Sequence, residues 1–247
     1  MKLTKVLERM ECKNCNTIFK GNYCNNCGQK AGAERFTLKH LPGEFLHGFF
    51  HVHGGLIFTI KELFIRPGVT LRGYISGRRV DYFNPFTFLV LISIVGGFVY
   101  KWSGIPDHIN ENFLASGETI RFTGKYFSSR MLLTIPAYAL ICSIIYRSFK
   151  YNFAEHLIIN TFMISQSIVL MVIWMVISSL VQPGNLVFVI LFIGAFISFI
   201  LYQVVVFFHL FNTGNIILRW IKALVNVLIG LGLSFVFMNF LLKIVHL

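Results

Sequence analysis

The sequence predicts an all-α polytopic membrane protein of about five transmembrane helices, with a small four-cysteine zinc ribbon near its start and amphipathic interfacial helices between the two. Three observations predict it. Hydrophobic residues make up 55% of the chain and charged residues 13%, where a soluble domain carries about 25% charged residues. Beyond residue 84, apolar stretches at or near membrane-helix length follow one another. Ahead of them, Cys12-Lys-Asn-Cys15 and Cys24-Asn-Asn-Cys27 form two CxxC pairs eight residues apart.

The ribbon is residues 1–32. Two CxxC pairs at short spacing suit one tetrahedral Zn²⁺ held by Cys12, Cys15, Cys24 and Cys27 as thiolates. Asn16 and Gly28 follow the second cysteine of each pair, and both residue types tolerate the left-handed turn of such a knuckle. The joining segment Thr17–Tyr23 reads as a short hairpin, with Phe19 and Tyr23 covering the ion. A unit this small buries too little to fold alone, so the metal must supply folding free energy of order 10 kcal/mol. Four thiolates leave no open coordination position, which makes the zinc structural rather than catalytic. Two disulfides are the competing reading, and they need an oxidising compartment. The opening residues Met1–Met10 lack an uninterrupted apolar core of signal-peptide length, so the head is expected in the cytosol. Cys142 lies inside an apolar stretch and reads as a packing residue, with no base evident beside it.

Residues 33–83 are amphipathic and arginine-rich. Leu56–Ile65 is a short apolar helix stopped at Arg66-Pro-Gly68. Arg72, Arg78 and Arg79 then mix with Tyr74, Tyr82 and Phe83, a composition that suits the headgroup layer. These helices are expected on the cytoplasmic face.

Residues 84–247 hold the spans, at about 85–100, 131–146, 157–181, 186–211 and 221–242. The net charge of +12 is uneven: residues 1–83 hold 13 Lys and Arg against 6 Asp and Glu, the remainder 9 against 4. With the head inside, Arg147, Lys150, Arg219 and Lys222 face the cytosol and the 102–130 loop lies outside, a modest positive-inside bias. The apolar body makes anionic lipid a better partner for this charge than nucleic acid.

The order of motifs is familiar. Tyr23-Cys-Asn-Asn-Cys-Gly-Gln29 is followed by Gly55-Leu-Ile-Phe-Thr-Ile-Lys-Glu-Leu63, Arg66-Pro-Gly68, Tyr74-Ile-Ser-Gly-Arg-Arg79 and Tyr82-Phe-Asn-Pro85. Over about residues 10–100 this resembles a bacterial domain-of-unknown-function family, number 3667. The resemblance implies a zinc-ribbon-headed inner-membrane protein and brings no catalytic residues. A weaker likeness, in architecture alone, is to Yip-type membrane-trafficking proteins.

Other constellations have two readings each. His40, Glu44, His47 and His51 recur at intervals of 4, 3 and 4, one face of an unbroken helix. They suit a second metal site, or plain polar residues of an interfacial helix whose register Pro42-Gly43 can break. Arg66, Arg72, Arg78 and Arg79 suit lipid headgroups, each worth about 1 kcal/mol near a charged surface, or a phosphate-bearing substrate. Gln166, Gln203 and Asn226 lie within spans, where amides bond across helices or line a path. No Asp, Glu, Lys or Arg sits near the middle of a span, which disfavours ion coupling. No GxSxG, HExxH or phosphate loop occurs. Lys13, Lys20 and Lys30 are outnumbered in the ribbon by asparagines, which favours a protein partner over nucleic acid. The sequence therefore leads to a non-catalytic membrane scaffold or adaptor whose ribbon docks a protein partner at the cytoplasmic face of the inner membrane. The alternatives are a passive transporter or lipid-handling protein, and a lipid-phosphate-acting enzyme.

Overall fold

The structure is a computed structural model that describes residues 9–33, 35–38, 55–103, 127–181, 185–212 and 214–245. Two short strands, β1 (Met10–Glu11) and β2 (Ile18–Phe19), pair antiparallel with Met10 opposite Phe19. Among the described residues seven α-helices follow: α1 (Leu56–Ile65), α2 (Pro67–Ser76), α3 (Pro85–Trp102), α4 (Phe127–Ile145), α5 (Phe153–Ser178), α6 (Leu186–Leu210) and α7 (Ile216–Val245).

Among the described residues four helices, α3, α5, α6 and α7, are long and apolar enough to cross a membrane. The chain is a polytopic helical membrane protein. The expected span at 131–146 is the helix α4, whose described apolar stretch, Thr134–Ile145, is shorter. Helix ends depart from the apolar count because caps set them. α5 starts at Phe153, not near Leu157, because Asn152 and Glu155 form a capping box: Glu155 N donates to Asn152 Oδ1 and Asn152 N to Glu155 Oε2, both at 2.9 Å. α7 starts at Ile216, ahead of the expected Ile221, because Asn215 Oδ1 accepts from Ile217 N.

α5 is the centre of the bundle, packed against α3, α4 and α6, while α7 closes it against α4 and α6. The polarity is that of a membrane fold. Ile190, Ile197 and Leu201 of α6 and Leu228 and Phe235 of α7 face outward, whereas Asn160, Thr161, Ser165, Gln166 and Ser167 of α5 are buried. Thr161, Ser165 and Ser167 donate to carbonyls one turn back, so three of these hydroxyls need no partner on another helix.

α1 and α2 form a tight helical hairpin broken at Arg66-Pro67. Pro67 has no N–H, so the Leu63 carbonyl loses its helical donor. The Tyr202 hydroxyl of α6 donates to that carbonyl instead, at 3.2 Å. Gly68 lets α2 approach α6 closely, since a Cβ there would stand 2.5 Å from the His209 carbonyl oxygen. The hairpin is thus built into the bundle at the end where α4 and α6 finish and α5 and α7 begin. The ribbon sits at this same end.

Candidate metal centre

The ribbon is two copies of one turn. Asn16 N donates to Cys12 O and Cys12 N to Thr17 O; Gly28 N donates to Cys24 O and Cys24 N to Gln29 O. Asn16 (φ 59°) and Gly28 (φ 74°) occupy the left-handed positions, as the spacing predicts. The two turns bring four sulfurs together, all within 4.8 Å of one another. Cys12 Sγ lies 3.5 Å from Cys27 Sγ and Cys15 Sγ 3.6 Å from Cys24 Sγ. Four sulfurs about 2.3 Å from a common ion would stand about 3.8 Å apart at tetrahedral angles. The cage therefore fits one small thiophilic metal ion, and all four cysteines are free thiols.

The thiols are unequal. Thr17 Oγ1 accepts from Asn26 Nδ2 and lies 3.3 Å from Cys15 Sγ, so its own proton is available to a thiolate. The Thr17 hydroxyl, then its backbone amide, hold the Cys15 thiol down at about 6. Burial pushes Cys27 up to about 12. A cation at the centre would deprotonate the whole set.

One expectation fails here. Ile18–Phe19 pairs with Met10–Glu11 across the first knuckle, so Thr17–Tyr23 is not a hairpin of its own. Phe19 is buried beside Cys12 and Cys24, but Tyr23 is 63% exposed and does not cover the sulfurs. The cause is the Cys12–Thr17 bond, which closes the knuckle and sends β2 back along β1.

The segment after the ribbon straps it to the bundle. Arg35 forks onto Glu155 at the start of α5 and also donates to Lys150 O. Asn152 Nδ2 donates to Phe36 O at 2.8 Å. Phe36 is buried, stacks on Tyr74 of α2, and carries the Arg79 guanidinium 3.6 Å over its ring centroid. Asn14 of the first knuckle reaches Asp81 at 3.3 Å.

Residues 53–96 match the family model described as a protein of unknown function (DUF3667). No curated protein and no solved structure matches the chain. The DUF3667 segment spans the α1–α2 hairpin and the first part of α3, and the ribbon lies outside it.

All four arginines singled out from the sequence fall in the DUF3667 segment. Arg66 pairs with Glu62 one turn back, and that carboxylate raises its pKa. Arg72 donates to His209 O (2.6 Å) and Leu210 O (2.9 Å), two carbonyls at the C-terminus of α6. Arg78 is exposed and Arg79 lies over Phe36. His40, Glu44, His47 and His51 lie outside the described residues.

Gln166 is buried on α5 and donates to Ile60 O of α1 at 3.2 Å. Gln203 and Asn226 are buried on α6 and α7; among the described residues, Gln203 Nε2 and both side-chain atoms of Asn226 have no hydrogen-bond partner. Cys142 does have a base beside it: His156 Nδ1 of α5 lies 3.2 Å from its sulfur. Sequence reading missed Arg35, Asn152 and Glu155. For the last two the signal was present, since Asn152-Phe-Ala-Glu155 has capping-box spacing. Arg35 carries no such mark.

Proposed function

We propose that this chain is a non-catalytic scaffold or adaptor of the bacterial inner membrane, whose structural zinc ribbon docks a protein partner on the cytoplasmic side. One observation carries the reading: the ribbon turns Ile18 and Tyr23 outward, at 67% and 63% exposure, while the sulfurs and Phe19 point in. A unit so poor in core gains from burying such side chains, and a metal-stiffened, strapped surface binds with little loss of entropy. Zinc is the ion that four thiolates in a tetrahedral cage suit best. Free thiols fit a reducing compartment, which favours the cytosolic side for the ribbon. The test compares three forms purified gently from native membranes. Cys24→Ser should lose zinc and partner; Ile18→Ser with Tyr23→Ser should keep zinc and lose the partner. Undiminished co-purification with both variants would refute docking through the ribbon.

A second reading, a passive path for a small solute or lipid, is favoured by Gln203 Nε2 and the Asn226 amide, which have no hydrogen-bond partner among the described residues. Gln203→Leu should then abolish flux in liposomes, and zero flux from the native protein would remove this reading.

A further inference from the structure

A cleft of about 310 Å³ opens where the ribbon, the strap and the bundle meet. Its charged walls come from four separate stretches: Lys13 from the first knuckle, Arg35 from the strap, Arg72 from α2, and Lys150 and Glu155 from either side of the start of α5. Four cations thus face one carboxylate. Glu155 is fully engaged by Arg35 and the capping box, so it offsets Arg35 alone.

Among the described residues, the other three cations form no ion pair. Lys13 Nζ donates to Ala33 O at 2.6 Å, and Arg72 donates to the two α6 carbonyls. Carbonyl dipoles orient these groups without neutralising them, and each retains N–H donors to spare. Lys150 stands in a left-handed conformation (φ 57°) that caps the 3-10 turn Arg147–Phe149. Tyr151 adds a hydroxyl, and its partial burial raises its pKa, so it remains a neutral donor. Gly77 makes room for the Lys13 stem, since a Cβ there would stand 2.7 Å from Lys13 Cδ.

We propose that this seam cleft binds a phosphate monoester, and that the metal-loaded ribbon is needed to complete it. Three uncompensated positive charges match a dianion better than a carboxylate. The volume is at the small end of ligand sites, about 300–1,000 Å³, which suits a headgroup or small molecule rather than a nucleic-acid strand. Arg72 bonds the C-terminal carbonyls of α6, a helix long and apolar enough to cross a membrane, so both a lipid phosphate and a soluble one are candidates. Lys13 stands between two metal ligands, Cys12 and Cys15, so loss of the metal frees one wall of the cleft. By linkage, bound phosphate should in turn slow metal loss. This inference does not depend on the docking reading, because Ile18 and Tyr23 lie outside the cleft.

The full-length, metal-loaded protein in detergent would be titrated by calorimetry with inorganic phosphate and with dihexanoyl phosphatidic acid. Lys150→Gln should weaken binding at least tenfold while leaving metal content unchanged, and Lys13→Gln should do the same. The charge-matched pair Lys20→Gln and Lys30→Gln should bind as the native protein does. A tenfold or greater preference for phosphatidic acid assigns the site to lipid, and equal affinities assign it to soluble phosphate. Removal of the metal by chelation should cut affinity at least tenfold. No binding of either probe at millimolar concentration, or equal losses in the control pair, would overturn the site. Undiminished binding after chelation would overturn its dependence on the ribbon.

Discussion

Arg35 and Glu155 join the ribbon strap to the bundle through two parallel hydrogen bonds, Nε to Oε1 at 2.8 Å and Nη2 to Oε2 at 2.6 Å. The Arg35 side chain is 61% exposed and that of Glu155 1%. The pair also fixes the start of α5, because the same carboxylate accepts from Asn152 N.

Arg35→Ala leaves a buried carboxylate without its cation. The solvent-exposed side of the pair limits the cost to about 1–2 kcal/mol. Thermal unfolding in detergent should show a lower midpoint, and protease should cut faster between ribbon and α1. An unchanged midpoint together with unchanged cleavage would count against the strap.

Tyr202→Phe strands the Leu63 carbonyl that Pro67 cannot serve, at a cost of about 0.6–2 kcal/mol. Pro67→Ala returns an N–H to that position. The tyrosine change should therefore cost less in the Pro67→Ala background, a coupling that a double-mutant cycle measures. Strict additivity would mean the hydroxyl does not serve this carbonyl.

Gly68→Ala drives a methyl group against the His209 backbone and should cost about 1–3 kcal/mol by parting α2 from α6. Arg72→Leu removes the donor from His209 O and Leu210 O at the same junction. Both changes should raise hydrogen exchange at residues 208–211, with the ribbon amides unchanged. Exchange confined to the ribbon instead would contradict this placement.

The metal should bind at one ion per chain and more weakly as pH falls, because every thiol must give up its proton. Cys15, held near 6, has done so at pH 7; Cys27, pushed up to about 12, does so only for the ion. Thr17→Val removes the main influence holding Cys15 low, so it should weaken binding at pH 6–7 and have little effect near pH 9. Competition with a chromophoric chelator checks this, and a pH-independent loss would argue that Thr17 acts only on packing.

Residues close in sequence could be read directly, because neighbours along the chain impose their own geometry. The CxxC spacing with Asn16 and Gly28 announced both knuckles, and apolar runs announced the membrane-length helices. Leu56–Ile65 was legible as a helix stopped by Pro67, since the break arises from a missing N–H. What each side chain bonds to across the fold was not legible. Nothing near Arg72 in the chain points to carbonyls at His209 and Leu210, nor near Cys142 to His156, nor near Arg35 to Glu155. Those pairings are made when helices distant in sequence pack, and burial of their backbone and carboxylate acceptors then selects the partner. Even β2 obeyed this rule: its strand propensity was visible, but closure of the first knuckle chose β1 as its mate.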